Sequence, residues 1–173
     1  ELREAFTRKL LSIIPLNAPV IGTTGFTGRE LTEIAGDHPH FYMPGSMGCL
    51  PAMGLGLAES FSDRKVYLLD GDGALLMKMG TLATVGHYGC KNLVHIVFDN
   101  GCYESTGCQK TVSSSVDFPK VASHCGYSQS ASVDSLTNFE TFIRESEKSH
   151  GPIFCHVLIR TGTLKNLKRP QET

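Results

Sequence analysis

The chain has 173 residues, 40% of them hydrophobic and 19% charged, with a formal net charge of −1. That length supports one domain with a proper core, and the near-neutral balance removes any electrostatic basis for binding nucleic acid. No apolar run approaches the ~20 residues that a membrane helix needs, no signal-peptide pattern is visible, and the six cysteines include no CxxC pair, so reduced thiols in a cytoplasmic protein are expected. The chain begins at Glu1 without a Met, as a piece of something longer would.

Apolar residues at 2, 6, 10, 11 and 14 predict an amphipathic helix that Pro15 ends. Val20-Ile21-Gly22 reads as a short buried strand. The loop Thr23-Thr24-Gly25-Phe26-Thr27-Gly28 then leads into a helix over 29–35, and its hydroxyls and N–H groups suit an anion. Phe41-Tyr42 reads as a strand and Gly45-Ser46-Met47-Gly48 as a second glycine-framed loop. A small-residue-rich helix follows over 50–60; its Gly54 and Gly56 lie inside the helix, so they are no dinucleotide fingerprint. His38 and His40 lie where a cleft is conceivable and His95 and His156 fall in strand-like runs, but none has a metal-ligand partner at helical spacing, so they read as structural or surface residues.

The next stretch carries the chemistry. A strand over 66–69 feeds Gly71-Asp72-Gly73, a helix spans 75–88, and a strand over 93–98 feeds Asp99-Asn100. This is a βαβ unit, so both strands run the same way and Asp72 and Asn100 emerge side by side at one sheet edge. A carboxylate, an amide oxygen and a nearby carbonyl are the oxygen donors that Mg²⁺ accepts, with a bound phosphate completing its shell. Gly-Asp-Gly alone is also a common turn. After it comes a polar loop over 101–116, long enough to act as a lid. Helices over 117–125 and 135–149 and a buried strand over 153–159 complete an α/β fold of three layers, a mostly parallel sheet with helices on both faces. Residues 1–161 form the domain, and 162–173 form a basic tail, mobile or docked on a partner.

Gly71-Asp72-Gly73, then 25 residues from Ala74 to Phe98, then a pair ending in Asn100, resembles the thiamin-diphosphate motif. The family usually has Asn-Asn where this chain has Asp99-Asn100. The resemblance implies a Rossmann-like cofactor domain in which Asp72, Asn100 and the Cys102 carbonyl hold the metal. It implies that Thr23, Thr24, Thr27, Gly71, Gly73, Ala74 and Tyr103 line the diphosphate site. Met47 would sit under the bent cofactor, and the Gly45 carbonyl, Ser46 and the Met47 N–H would meet its aminopyrimidine edge.

Over most of its length the chain is similar to the C-terminal half of phosphonopyruvate decarboxylases and their sulfopyruvate relatives. The stretches TTGFTGREL, FYMPGSMG, GDGALLMKMGTLATVG, KNLVHIVFDNGCYESTGCQKT and GTLKNLKRP carry that likeness. It implies non-oxidative decarboxylation of phosphonopyruvate to phosphonoacetaldehyde and CO₂ with thiamin diphosphate and Mg²⁺, or the sulfopyruvate equivalent. Ser105, Gln109, Lys110 and Thr111 are the candidates for the substrate's second anionic group. No catalytic residue is assigned in this chain: the glutamates fall in surface-type helices, the lid or the ends, and the one that must face the pyrimidine is expected from a pyrimidine-binding domain or subunit in a homo- or hetero-oligomer, at least a dimer. Another thiamin enzyme, or a scaffold subunit without cofactor, is the competing reading.

Overall fold

The computed structural model describes residues 1–170. The chain runs α1 (Arg3–Ile13), β1 (Val20–Gly22), α2 (Phe26–Ile34), β2 (His40–Tyr42), α3 (Leu50–Ser60), β3 (Val66–Gly71), α4 (Asp72–Met77), α5 (Thr81–Tyr88) and β4 (Leu93–Asp99). The short strands β5 (Cys102–Tyr103) and β6 (Gln109–Lys110) follow. Then come α6 (Phe118–His124), β7 (Gln129–Val133), α7 (Leu136–Ser146) and β8 (Ile153–Leu158). Six strands pair in the order β2-β1-β3-β4-β8-β7, all parallel. Helices cover both faces, giving the expected three-layer α/β fold.

Strand alternation divides the core. Tyr67 and Leu69 of β3, with Val94, Ile96 and Phe98 of β4, meet Phe6 and Leu10 of α1 and Phe139 and Ile143 of α7. Val66 and Leu68, with Leu93 and Val97, turn the other way onto Leu50 and Leu55 of α3, Leu82 and Val85 of α5 and Phe118 of α6. Central parallel strands are buried on both faces, which is why these two read as continuous apolar runs. Each fully buried Leu or Phe contributes about 1.5–3 kcal/mol, so the central strands are the rigid part of the molecule.

Three expectations are corrected and one strand is added. The crossover is two helices: it starts at Asp72, so this carboxylate rides in the first turn of α4, and it breaks at Lys78, whose φ of −141° and ψ of 42° leave the helical region. Helix α2 begins at Phe26, which puts Thr27 inside its first turn. Strand β7, unforeseen, is a half-exposed edge strand of Ser and Ala (QSASV), where neither hydrophobicity nor alternation signals a strand. The thiols are not all free: Cys102 and Cys108 form a disulfide, because the antiparallel β5–β6 pairing brings their Cα atoms to 4.9 Å.

The start of the basic tail docks on its own chain. Arg160, just before it, bridges to Leu2, and within it the N–H groups of Gly162 and Leu164 donate to side-chain carboxylates. The last three residues of the tail, 171–173, lie outside the described residues.

Candidate functional site

The carboxyl ends of β1, β3 and β4 open onto a cleft. Thr23, Gly25, Met47, Asp72, Asn100 and Tyr103 are among its walls. The parallel register places Gly22 beside Leu69 and Gly71 beside Phe98, so the three turns that follow converge on one point. His38 and His40 are the structural and surface residues expected: His38 is buried with Nε2 3.0 Å from the Leu11 carbonyl, and His40 is exposed.

Asp72 is the electrostatic centre. It is 3% exposed, its Oδ2 accepts a 2.6 Å hydrogen bond from the Thr111 hydroxyl, and no ion pair reaches it among the described residues. Burial pushes its carboxyl up to about 6; the Thr111 hydrogen bond pulls it back and the charge of nearby Asp99 adds to the rise. Asp99 goes the other way. Burial raises it, but hydrogen bonds from His156, the Gly101 N–H and Ser113 outweigh that and hold it below the usual carboxylate range. Its Oδ2 lies 3.0 Å from His156 Nε2, and its Oδ1 accepts from the Gly101 N–H at 2.9 Å and the Ser113 hydroxyl at 3.0 Å. Asp99 is thus a structural anion that ties β4 to β8 and to the lid.

Asn100 projects into the cleft from the turn after β4. Its Oδ1 accepts from the Cys102 N–H at 3.1 Å, and its Nδ2 donates to Glu104 at 2.9 Å. Beyond it the lid folds back as the β5–β6 hairpin, closed by the Cys102–Cys108 bridge and by the Thr111 N–H on the Gly101 carbonyl at 2.9 Å. Tyr103 lies against Gly73, where a Cβ would stand 2.4 Å from the ring; only glycine lets the ring approach the backbone so closely.

The hydroxyl loop forms the opposite wall. Thr23 is 2% exposed and its hydroxyl has no partner, an orphan buried donor at the cleft wall. Gly25, at φ 92°, turns the chain into α2, so free N–H groups of its first turn face the same space. Thr27 lies in that turn, while Thr24 donates to the Pro44 carbonyl at 3.3 Å. Gly71, Gly73, Ala74, Met47 and the Cys102–Tyr103 pair also line the cleft; Gly45 and Ser46 stand outside its lining. Of the lid residues Ser105, Gln109, Lys110 and Thr111, only Ser105 lines the cleft. Gln109 and Lys110 face solvent, and Thr111 is engaged by Asp72.

The sequence reading missed Arg3, Glu30 and Glu104. Glu30 is fully buried in α2, not on a surface face, and Arg3 and Glu104 line the cleft. A charged residue on an amphipathic helix reads as solvated unless its partner, distant in sequence, is known.

A buried carboxylate without a cation, an amide oxygen, an orphan hydroxyl and a helix N-terminus make a receptor for a metal-bound phosphate group. The family comparison agrees: the thiamine pyrophosphate enzyme C-terminal TPP-binding domain matches residues 21–157. The chain belongs to that family. Its cofactor is thiamin diphosphate, and the residues at the cleft fit that group's anionic end. The domain is 43% identical over 171 residues to phosphonopyruvate decarboxylase of Streptomyces viridochromogenes, a match covering 99% of this chain and 43% of that protein. It is 41% identical over 143 residues to sulfopyruvate decarboxylase subunit beta of Methanothermobacter thermautotrophicus, covering 83% of this chain and 74% of that subunit. The chain therefore spans less than half the length of the phosphonopyruvate decarboxylases and most of the beta subunit. A crystal structure from Mycobacterium smegmatis, described as a thiamin diphosphate-dependent enzyme, superposes with a TM-score of 0.78 at 21% identity, covering 93% of this chain and 32% of that one, which supports the fold of the TPP-binding domain. No helix among the described residues is long and apolar enough to cross a membrane.

Proposed function

We propose that this chain supplies the diphosphate- and metal-binding half of a thiamin-diphosphate-dependent decarboxylase that converts phosphonopyruvate to phosphonoacetaldehyde and CO₂. The observation that carries the reading is the pairing of cation-less Asp72 with Asn100 at the mouths of adjacent strands, in a chain 43% identical to phosphonopyruvate decarboxylases. Asp72, the Asn100 oxygen and the Cys102 carbonyl would hold Mg²⁺. Thr23, Thr24, Thr27 and the backbone of Gly71, Gly73 and Ala74 would hold the diphosphate. Met47 would support the cofactor rings, with Gly45 and Ser46 at the pyrimidine edge and Tyr103 closing the diphosphate end. Bound thiamin diphosphate supplies the electron sink for the carbon–carbon bond that breaks as CO₂ leaves.

In this reading residues 1–161 are the cofactor half, 162–173 are its tail, and the pyrimidine-binding half lies in the rest of the protein or in a second subunit of a cytoplasmic oligomer. Ser105 on the cleft wall, with Gln109, Lys110 and Thr111 on the lid, would meet the substrate's second anion when the lid closes. Sulfopyruvate is the alternative substrate, favoured by one observation: the chain covers 74% of a beta subunit whose enzyme carries that name.

The test is titration of thiamin diphosphate into the full-length protein with and without Mg²⁺, for wild type and Asp72→Ala, with turnover of both substrates in the same samples. Metal-dependent binding that the variant loses is expected, and the faster substrate names the enzyme. Binding that ignores both metal and the substitution would sink the reading.

A further inference from the structure

Four separated segments meet at one knot of charge beside Asn100. The Arg3 guanidinium donates to Glu30 Oε2 at 3.1 Å and to Glu104 Oε2 at 2.6 Å. Glu30 Oε1 accepts from the Leu164 N–H at 3.0 Å, and Glu104 Oε1 accepts from the Gly162 N–H. Side-chain exposure is 5% for Arg3, 0% for Glu30 and 13% for Glu104, so these are interior charges. Within the knot one contact faces the cleft: Asn100 Nδ2 donates to Glu104 Oε2 at 2.9 Å.

That contact, together with the Cys102 N–H that donates to Asn100 Oδ1 at 3.1 Å, decides which way an amide points. A carboxylate only accepts hydrogen bonds, so the Asn100 atom against Glu104 is the NH₂, and the oxygen must be the atom turned away. A cation needs the oxygen. Were the amide to turn over, its NH₂ would face the cation and its oxygen would face a carboxylate, an arrangement unfavourable at both ends. We propose that Glu104 is a positioning residue: it locks the Asn100 amide so that its oxygen, which accepts one hydrogen bond from the Cys102 N–H, keeps its second lone pair for the metal, and Arg3 and the Gly162 N–H hold Glu104 in place. Docking of the segments around Arg3 and 160–164 is thereby coupled to the competence of the cation site. This rests on the reading of Asp72 and Asn100 as cation ligands. It adds a residue that acts on the cation through Asn100.

The experiment measures Mn²⁺ binding by electron paramagnetic resonance in the full-length protein saturated with thiamin diphosphate, together with the thermal midpoint of the metal-free, cofactor-free protein. Glu104→Ala is expected to weaken Mn²⁺ by about 10- to 100-fold, the range seen when a residue that orients a metal ligand is removed. Glu104→Gln, which keeps a carbonyl acceptor for Nδ2, is expected to lose less. Midpoint losses in both variants with Mn²⁺ affinity unchanged would overturn the proposal. Asp72→Ala separates the two readings: if it leaves Mn²⁺ binding intact the cation site itself is misread, whereas if it abolishes binding and Glu104→Ala does not, only the positioning role fails. In the unaltered metal-free protein, ¹⁵N-asparagine spectra assigned with Asn100→Ser are expected to show one slowly exchanging side-chain amide proton at Asn100. Two freely exchanging protons would overturn the proposal.

Discussion

Two sets of buried carboxylates stand at the same end of the sheet, and they differ in what surrounds them. Glu30 and Glu104 share one guanidinium and accept two backbone N–H groups and an amide, so their charge is matched from inside the chain. Asp72 has one hydroxyl and the Gly73 backbone N–H, no cation among the described residues and a neighbouring carboxylate, and burial drives its carboxyl up to about 6. The first set is finished architecture. The second is incomplete until a cation arrives. Position alone does not separate a structural carboxylate from a ligand; the count of its donors does.

Removing the internal cation should make the first set behave like the second. Arg3→Met leaves the buried Glu30 and the part-buried Glu104 without their shared charge, and a loss of about 3–5 kcal/mol is expected in urea unfolding. Asp72→Asn should do the reverse. Because the folded carboxyl titrates near 6 and its ordinary value is 3.8, the wild type is penalised wherever the unfolded chain ionises and the folded one resists. The metal-free variant should therefore match wild type below the ordinary value, gain as pH rises from there, and level off above about 6 at roughly 2–3 kcal/mol more stable, while losing metal-dependent cofactor binding. A wild type that is the more stable at pH 8 would erase the distinction between the two sets.

Smaller changes sharpen it. Cys108→Ser opens a short disulfide loop in the segment that carries both Glu104 and Thr111 towards the cleft, and a loss of about 2 kcal/mol is expected in thermal unfolding relative to the oxidised wild type. Thr111→Val removes the one side-chain donor that Asp72 owns, at a cost of about 1 kcal/mol. It should move the Asp72 titration upward, which ¹³C carboxyl shifts would read; a downward movement would mean Thr111 does not hold the ionised form.

Much of this was legible in the order of residues. Val66 to Gly71 and Leu93 to Asp99 are dense apolar runs because both of their faces are buried, and a helix between two such strands fixes their direction, so Asp72 and Asn100 had to arrive together. The hydroxyl loop at Thr23–Thr27 was legible for the same local reason. Three things were not. Strand β7, made of Ser and Ala at an edge, carries no apolar signal of its own and exists because β8 offers it a ladder. The Cys102–Cys108 bridge depends on a hairpin inside what reads as loop. The Arg3–Glu30–Glu104 knot joins residues up to 101 positions apart, and the tail joins it from further still. Local pattern determines which groups sit at a strand end, because geometry repeats along the chain every few residues. Whether a charge there is already satisfied is settled by partners from elsewhere in the chain, and only the folded molecule brings those within 3 Å.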